Sequence, residues 1–331
     1  MTPVFRSLRA GLVGAGLLAA SASAAQAQSN EAPVTSRPLG PPPANITLNV
    51  EGRTTPEGEV FRVGFLADAA PGHQRTLYLP FRSHLEAVLS RPVELVPFRD
   101  ARGLMTAMQR QDIGYAMAPS SVFVAAHRLC GCVTPLGTQP NRDGSVGLFS
   151  VLIAPEDGPI GGLGDLEDAR VAIVGEGSVV AHRVGLSEIW RNEVRLNEDG
   201  LLFSATLQDA ADAVLTGQAD AILSWSRQGE GSVVFDQEPA SGLSEEVRSG
   251  LRMVWRSRPV PSVTHFAHTG LPEPLGETLQ SMLLDLTGRD GDAFDAIDLG
   301  SGRGFVAQEM SDYDPLLDAY TYWDQASQAA E

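Results

Sequence analysis

Short apolar runs alternate with stretches of helical periodicity from Phe61 almost to the end of the chain, and no other feature narrows the accessible folds as much. The run Phe61-Arg62-Val63-Gly64-Phe65-Leu66 reads as a strand. A Gly/Pro loop follows, and then a helix in which Leu77, Phe81, Leu85 and Val88 recur at helical spacing. Residues 93–96 read as a strand, 101–110 as a helix and 113–117 as a strand, and a further helix opens at Pro119-Ser120-Ser121. An extended stretch over 146–154 interrupts the pattern, which then restarts. Strands are expected at 171–174, 201–203 and 219–223, with helices after Gly175-Glu176-Gly177-Ser178 and at 208–216. Residues 253–255 and 263–267 read as extended, and helices at 274–286 and 313–325 finish the chain. Strands alternating with helices imply a mostly parallel sheet covered on both faces. Two such units predict an α/β protein of two lobes joined by two extended crossings, with a cleft between them. Lobe one takes residues 59–150 and 262–331, and lobe two takes 151–261.

What precedes the first strand bears on compartment. Arg6 and Arg9 lead into an uncharged apolar run that closes on Ala25-Gln26-Ala27, the pattern of a secretory signal peptide cleaved after Ala27. The run is shorter than the roughly 20 residues a bilayer core demands. Residues 28–58, with Pro41-Pro42-Pro43 at their centre, read as a flexible leader. The expected location is therefore the periplasm.

Charge removes whole classes of partner. The chain carries 41 Asp+Glu against 24 Lys+Arg, a formal net charge of −17, and its field would repel nucleic acid and anionic lipid. Every one of those basic residues is Arg. The absence of Lys excludes Schiff-base chemistry and a Walker-type phosphate loop. Neither Gly-x-Ser-x-Gly nor His-Glu-x-x-His occurs, and no cofactor motif stands in its required context, so neither an enzyme nor a cofactor is expected. His265 and His268 point to opposite faces at strand spacing and are not expected to share a metal. In an oxidising compartment Cys130-Gly131-Cys132 reads as a short-loop disulfide or two buried thiols, the alternative being a soft-metal thiol site.

The expected ligand site follows from fold geometry. Ligands of open α/β sheets collect beyond the carboxyl ends of strands, where helix N-termini offer free N–H groups and a positive dipole end. Two such places are expected to face each other. One is Pro119-Ser120-Ser121, with Pro at the helix start and hydroxyls as caps. The other is Gly177-Ser178-Val179, where glycine lets backbone approach a ligand. His182 lies about one helical turn past Ser178. Tyr78 and Trp225 are further candidates to line the cleft.

From Phe61 to Trp323 the arrangement resembles the phosphonate/phosphite type of periplasmic binding protein, within the type II solute-binding proteins of ABC transporters. Four stretches carry the resemblance: the strand and helix over 61–89; Gln111 to Ser121, which ends in a Pro before a ligand-facing helix; Leu163-Gly164-Asp165-Leu166 before a strand; and Leu215-Thr216-Gly217-Gln218-Ala219-Asp220-Ala221. The resemblance implies a small polar or oxyanionic ligand, phosphonate-like or phosphate-like, held by a monomer for an ABC permease. A sensing role before a histidine-kinase partner is the alternative it leaves open. It further implies that Asp220 receives a ligand ammonium. The chain departs from the family loop S-x-S-G, having Ser178-Val179-Val180-Ala181, and has Val122 and Phe123 where a Tyr is expected.

Overall fold

A computed structural model describes residues 59–67, 71–227 and 243–329. The expected signal peptide and leader lie outside the described residues. The first half of the order runs β1 (Phe61–Leu66), α1 (Pro71–Leu77), α2 (Leu79–Leu89), β2 (Val93–Phe98), α3 (Ala101–Gln109), β3 (Tyr115–Pro119), α4 (Ser120–Cys130) and β4 (Val133–Thr138). Next come β5 (Phe149–Pro155), β6 (Val171–Val174), a π-helical turn (Val179–Val184) running into α5 (Gly185–Arg191), β7 (Leu201–Ser204), α6 (Leu207–Leu215) and β8 (Ala221–Ser226). The chain ends with α7 (Glu245–Ser249), β9 (Leu251–Arg256), β10 (Val263–His268), α8 (Glu273–Arg289), α9 (Gly291–Asp295), β11 (Val306–Ala307) and α10 (Asp314–Ala329).

The strands form two sheets, in the orders β11-β4-β10-β3-β1-β2 and β7-β6-β8-β5-β9. In sheet one β1 lies parallel to both β2 and β3, while β10 is inserted antiparallel between β3 and β4. In sheet two β6 lies parallel to β7 and β8, and β5 is inserted antiparallel between β8 and β9. The mostly parallel expectation therefore acquires one reversed inner strand per sheet, each supplied by the chain as it arrives from the other sheet, and sheet one has a second reversed strand in β11 at its edge.

Sequence alternation sets which core each residue joins. Phe61, Val63, Phe65, Tyr115 and Met117 face a core closed by Phe81 and Leu85 of α2 and Leu283 of α8. On the other face Ala116 and Ala118 meet Leu104, Met108, Phe123 and Tyr313. Sheet two repeats the scheme, with Val151, Ile153 and Ile222 against α6 and Leu152, Ile173 and Leu223 against α5. The period of two along each strand puts apolar side chains on both faces, as a helix-covered sheet requires.

Local chemistry fixes the element ends. Asp100 caps α3 by accepting from the Gly103 N–H at 2.8 Å, and Thr206 with Asp209 forms a capping box at the start of α6. The helix expected through Leu77 and Val88 is split at Tyr78. Pro80 stands in the first turn of α2, where its missing N–H costs nothing, whereas inside one continuous helix its ring would clash with the preceding turn.

Cys130 and Cys132 are disulfide-bonded at the end of α4. That helix starts at the carboxyl edge of sheet one and runs back, so the disulfide lies at the amino edge, away from the cleft. Closing so short a loop constrains the unfolded chain only a little. Double replacement by Ser is expected to cost about 1–2 kcal/mol in chemical denaturation and to leave ligand affinity unchanged. Affinity lost at constant stability would contradict this placement.

Two chain segments, residues 139–148 and 257–262, connect the sheets. They pair with each other: Leu148 N–H donates to Val260 O, and Val260 N–H to Leu148 O, both at 2.7 Å. Among the described residues no helix is long and apolar enough to cross a membrane.

Candidate functional site

The carboxyl ends of β3 and β4 in sheet one and of β6 and β8 in sheet two define the edges where a ligand is expected. At the first edge, α4 opens directly after Pro119. Ser120 is buried, with its N–H on Ser262 O at 3.1 Å and its hydroxyl 2.9 Å from Thr264 Oγ1. Thr264 in turn donates to the Tyr313 hydroxyl at 3.0 Å. Burial pushes the Tyr313 hydroxyl well above its ordinary range, so it stays protonated. The Ser120 side chain is thus engaged inward. The Ser121 carbonyl accepts from Tyr320 Oη at 3.2 Å, which ties α10 to the start of α4.

At the second edge, Gly175 and Gly177 take φ of +74° and +78°, conformations that favour glycine, and bring the chain round to Ser178. Ser178 Oγ accepts from Ala181 N–H at 3.2 Å, so this hydroxyl caps the π-helical turn. His182 Nδ1 accepts from Gly177 N–H at 2.9 Å. Its ring meets Phe203 and Trp323 edge-on, at centroid distances of 5.0 and 5.1 Å. Desolvation, then the neighbouring Arg183, lowers the His182 pKa against an opposing pull from Glu176. His182 is therefore a neutral, packed ring whose Nδ1 is already used within its own loop.

The two helix starts do come together, through apolar contact. Val180 and Val184 share one buried cluster with Val122 and Phe123, and Val179 and Trp225 pack against it. Valines thus occupy the position where hydroxyl donors were expected, and the cleft has an apolar wall there.

Asp220 requires a correction. It precedes β8 at the amino end, the opposite edge from Ser178, because β8 runs parallel to β6. Its carboxylate is held by Arg170, with Oδ1 on Nη2 at 2.8 Å and Oδ2 on the backbone N–H at 2.8 Å and on Nε at 3.1 Å. It does not oppose Ser178, and a ligand ammonium would have to displace Arg170. The Arg170 hydrogen bond, outweighing burial, holds the Asp220 carboxyl below its ordinary range. A carboxyl with a lowered folded pKa stabilises above its unfolded pKa, about 3.9, and loses that contribution as pH falls through the folded value. Asp220→Asn is therefore expected to flatten the fall of melting temperature below about pH 4 and to leave ligand affinity unchanged. A large loss of affinity would return Asp220 to the site.

Tyr78 is half-buried. Its ring meets Phe65 edge-on at 5.0 Å, and its hydroxyl accepts from Gln74 Nε2 at 3.3 Å. This places it against the core of sheet one, in a different cluster from the one that joins the helix starts.

Sequence reasoning missed a cavity of about 380 Å³ at the crossings, lined by Gln139, Asn141, Arg142, Arg227, Ser262 and Ser301 among others. Asn141 Nδ2 donates to the carbonyls of Gly147 at 2.7 Å and Arg227 at 2.8 Å, so the first crossing is clamped to the end of β8. The available signal was the edge rule itself. Trp225-Ser226-Arg227 ends β8 at the carboxyl edge, as Gly175 to Ser178 follows β6. Among the described residues no group of three or more His, Cys, Asp or Glu could hold a metal ion.

A family model described as the periplasmic substrate-binding protein of phosphonate ABC transporters matches residues 63–313. No curated protein matches the chain. Among solved structures, XAC2383 from Xanthomonas citri bound to ATP is 17% identical, over 83% of this chain and 100% of that one, with a TM-score of 0.55. The same protein bound to chloride ion is 18% identical, over 82% and 99%, with a TM-score of 0.54. PhnD1 from Prochlorococcus marinus in complex with methylphosphonate is 16% identical, over 80% and 98%, with a TM-score of 0.48. At such identities the first two likenesses show a shared fold.

Proposed function

Because the chain belongs to the periplasmic substrate-binding proteins of phosphonate ABC transporters, a family of solute-binding proteins and not of enzymes, we propose that it captures a small oxyanion between its two sheets. The family works with ABC permeases in the periplasm. To this chain's own residues we assign the lobes 59–150 with 262–331 and 151–261, cleavage of a leader after Ala27, action as a monomer, and transport as its role.

One observation carries the reading: the ends of β3, β4 and β8 meet at a pair of crossings that hydrogen-bond to each other through Leu148 and Val260. Such a joint lets two rigid sheets approach without breaking either one. The Ser178 loop and the starts of α4 and the π-helical turn frame one side of the space. The hydroxyls of Ser120 and Ser178 fix these helix starts, and Val179 and His182 pack behind them. Ser121 lies beside them at the start of α4.

A thermal-shift series with sulfate, phosphate and methylphosphonate tests this. A ligand present at 100 times its dissociation constant adds about 2.7 kcal/mol. For a protein of this size that amounts to a rise of roughly 5–10 °C. No rise with any of the three would remove the oxyanion reading.

A further inference from the structure

The cavity at the crossings holds charge that the helix starts lack. Arg142 comes from the first crossing and Arg227 from the end of β8, so one guanidinium belongs to the joint and the other to sheet two. Both side chains are exposed. Neither pairs with a carboxylate among the described residues, so both guanidiniums are available to an anion in the cavity. In a chain with a net charge of −17, the lining of this cavity carries two guanidiniums against one carboxylate, Asp143, so it is locally less acidic than the chain as a whole.

The surroundings hold this pair in position. Arg142 Nε donates to Gly300 O at 2.9 Å, leaving its two terminal nitrogens for another acceptor, and Arg303 Nε donates to Arg142 O at 2.8 Å. The Arg227 backbone is gripped through its carbonyl by Asn141 and by Ser145 Oγ at 3.0 Å, while its guanidinium lies 6.0 Å from the Trp225 ring centroid. The nearby acids are engaged. Asp143 accepts from the Ser145 N–H at 2.9 Å and its hydroxyl at 2.6 Å, and Asp298 accepts from Gln139 Nε2 at 2.5 Å and Ser301 N–H at 3.2 Å. The volume, about 380 Å³, lies within the usual range for a small-ligand site.

We propose that Arg142 and Arg227 together bind the doubly charged oxyanion group of the ligand, so that the charge-selecting seat lies at the joint between the sheets rather than at the helix starts. The assignment rests on the oxyanion reading above. Planar guanidiniums suit tetrahedral dianions of the phosphate, phosphonate or sulfate kind, each able to take two parallel hydrogen bonds. A carboxylate has two oxygens and fills one guanidinium fork, whereas a tetrahedral dianion has oxygens for both. Because one arginine comes from each side of the joint, the bound dianion would also tie the crossing to sheet two.

Calorimetric titration of the full chain with sulfate, phosphate, methylphosphonate and acetate at pH 8 tests this. The variants are Arg142→Gln, Arg227→Gln and Ser178→Ala, with circular dichroism to verify folding. Arg227→Lys serves as a milder change that keeps the charge and loses the planar fork. Expected are binding of at least one dianion by the parent, no measurable binding of acetate, at least tenfold weaker dianion binding in each Gln variant, and an intermediate loss in the Lys variant. Dianion binding as tight in both Gln variants as in the parent would overturn the arginine seat and leave the oxyanion reading standing, and a loss in Ser178→Ala alone would move the seat to the helix start. No binding of any dianion by the parent would remove the oxyanion reading and the seat with it.

Discussion

Replacing Gly147 with Ala is expected to cost about 3 kcal/mol or more, the largest loss for any one-carbon change at the joint. Gly147 takes φ of +79°, and a Cβ there would overlap the Val260 carbonyl, which is backbone and cannot swing away. That carbonyl is the acceptor for Leu148 N–H, so any shift that relieves the clash breaks the pairing between the crossings. The Gly147 carbonyl also receives the Asn141 side chain. Strain at a left-handed position and loss of a backbone pair act in the same direction. Thermal melting should show a drop of roughly 6 °C or more. A variant melting within a degree of the parent would mean that the two crossings are not locked together as described.

Trp323→Ala is expected to cost about 2–3 kcal/mol, less than a fully buried Trp because the side chain is half-buried. Trp323 lies on α10, which follows the elements of sheet one in sequence yet touches both halves. Its Nε1 donates to Arg183 O at 3.3 Å, and its ring meets His182 at 5.1 Å and Tyr322 at 5.3 Å. Three residues earlier, Tyr320 donates to the Ser121 carbonyl. Asp318 of the same helix bridges Arg191 at 2.6 Å and Arg258 at 2.9 Å, and Asp324 pairs with Arg128. The exposed ion pairs contribute little singly, so the indole is the main fastening between α10 and the π-helical turn. Chemical denaturation should show the loss, and amide exchange over 179–191 should accelerate beyond what the change in global stability explains. Unchanged exchange there would mean that α10 belongs to sheet one alone.

The architecture was legible because inner strands such as β5, β6 and β8 are buried on both faces and read as apolar runs, as in Val171-Ala172-Ile173-Val174. The helix starts were legible too, since Pro119 and Gly177-Ser178 carry their geometry in their own residue types. The function of those starts was less so. A serine at a helix start looks alike whether its hydroxyl faces a ligand or, as for Ser120, a partner such as Thr264 brought from a strand 144 residues away. Asp220 illustrates a different limit: motif similarity gave it a charge but not the end of the strand on which it sits, which depends on strand direction within the sheet. The arginine cavity draws residues from four separate stretches of chain, and no local spacing links Arg142 to Arg227. The π-helical turn at Val179–Val184 likewise has no periodic signature, because it departs from helical spacing for a single turn.

The central claim is that a small oxyanion is held between the sheets at the joint, and hydrogen exchange on the full chain tests it most directly. The comparison is the free protein against the protein saturated with whichever of sulfate, phosphate and methylphosphonate gives binding heat. Protection is expected to concentrate in residues 139–148 and 257–262, at the end of β8, and in the loop leading to Ser178. Protection confined to the outer helices α8 and α9, with both crossings exchanging as in the free protein, would contradict the account.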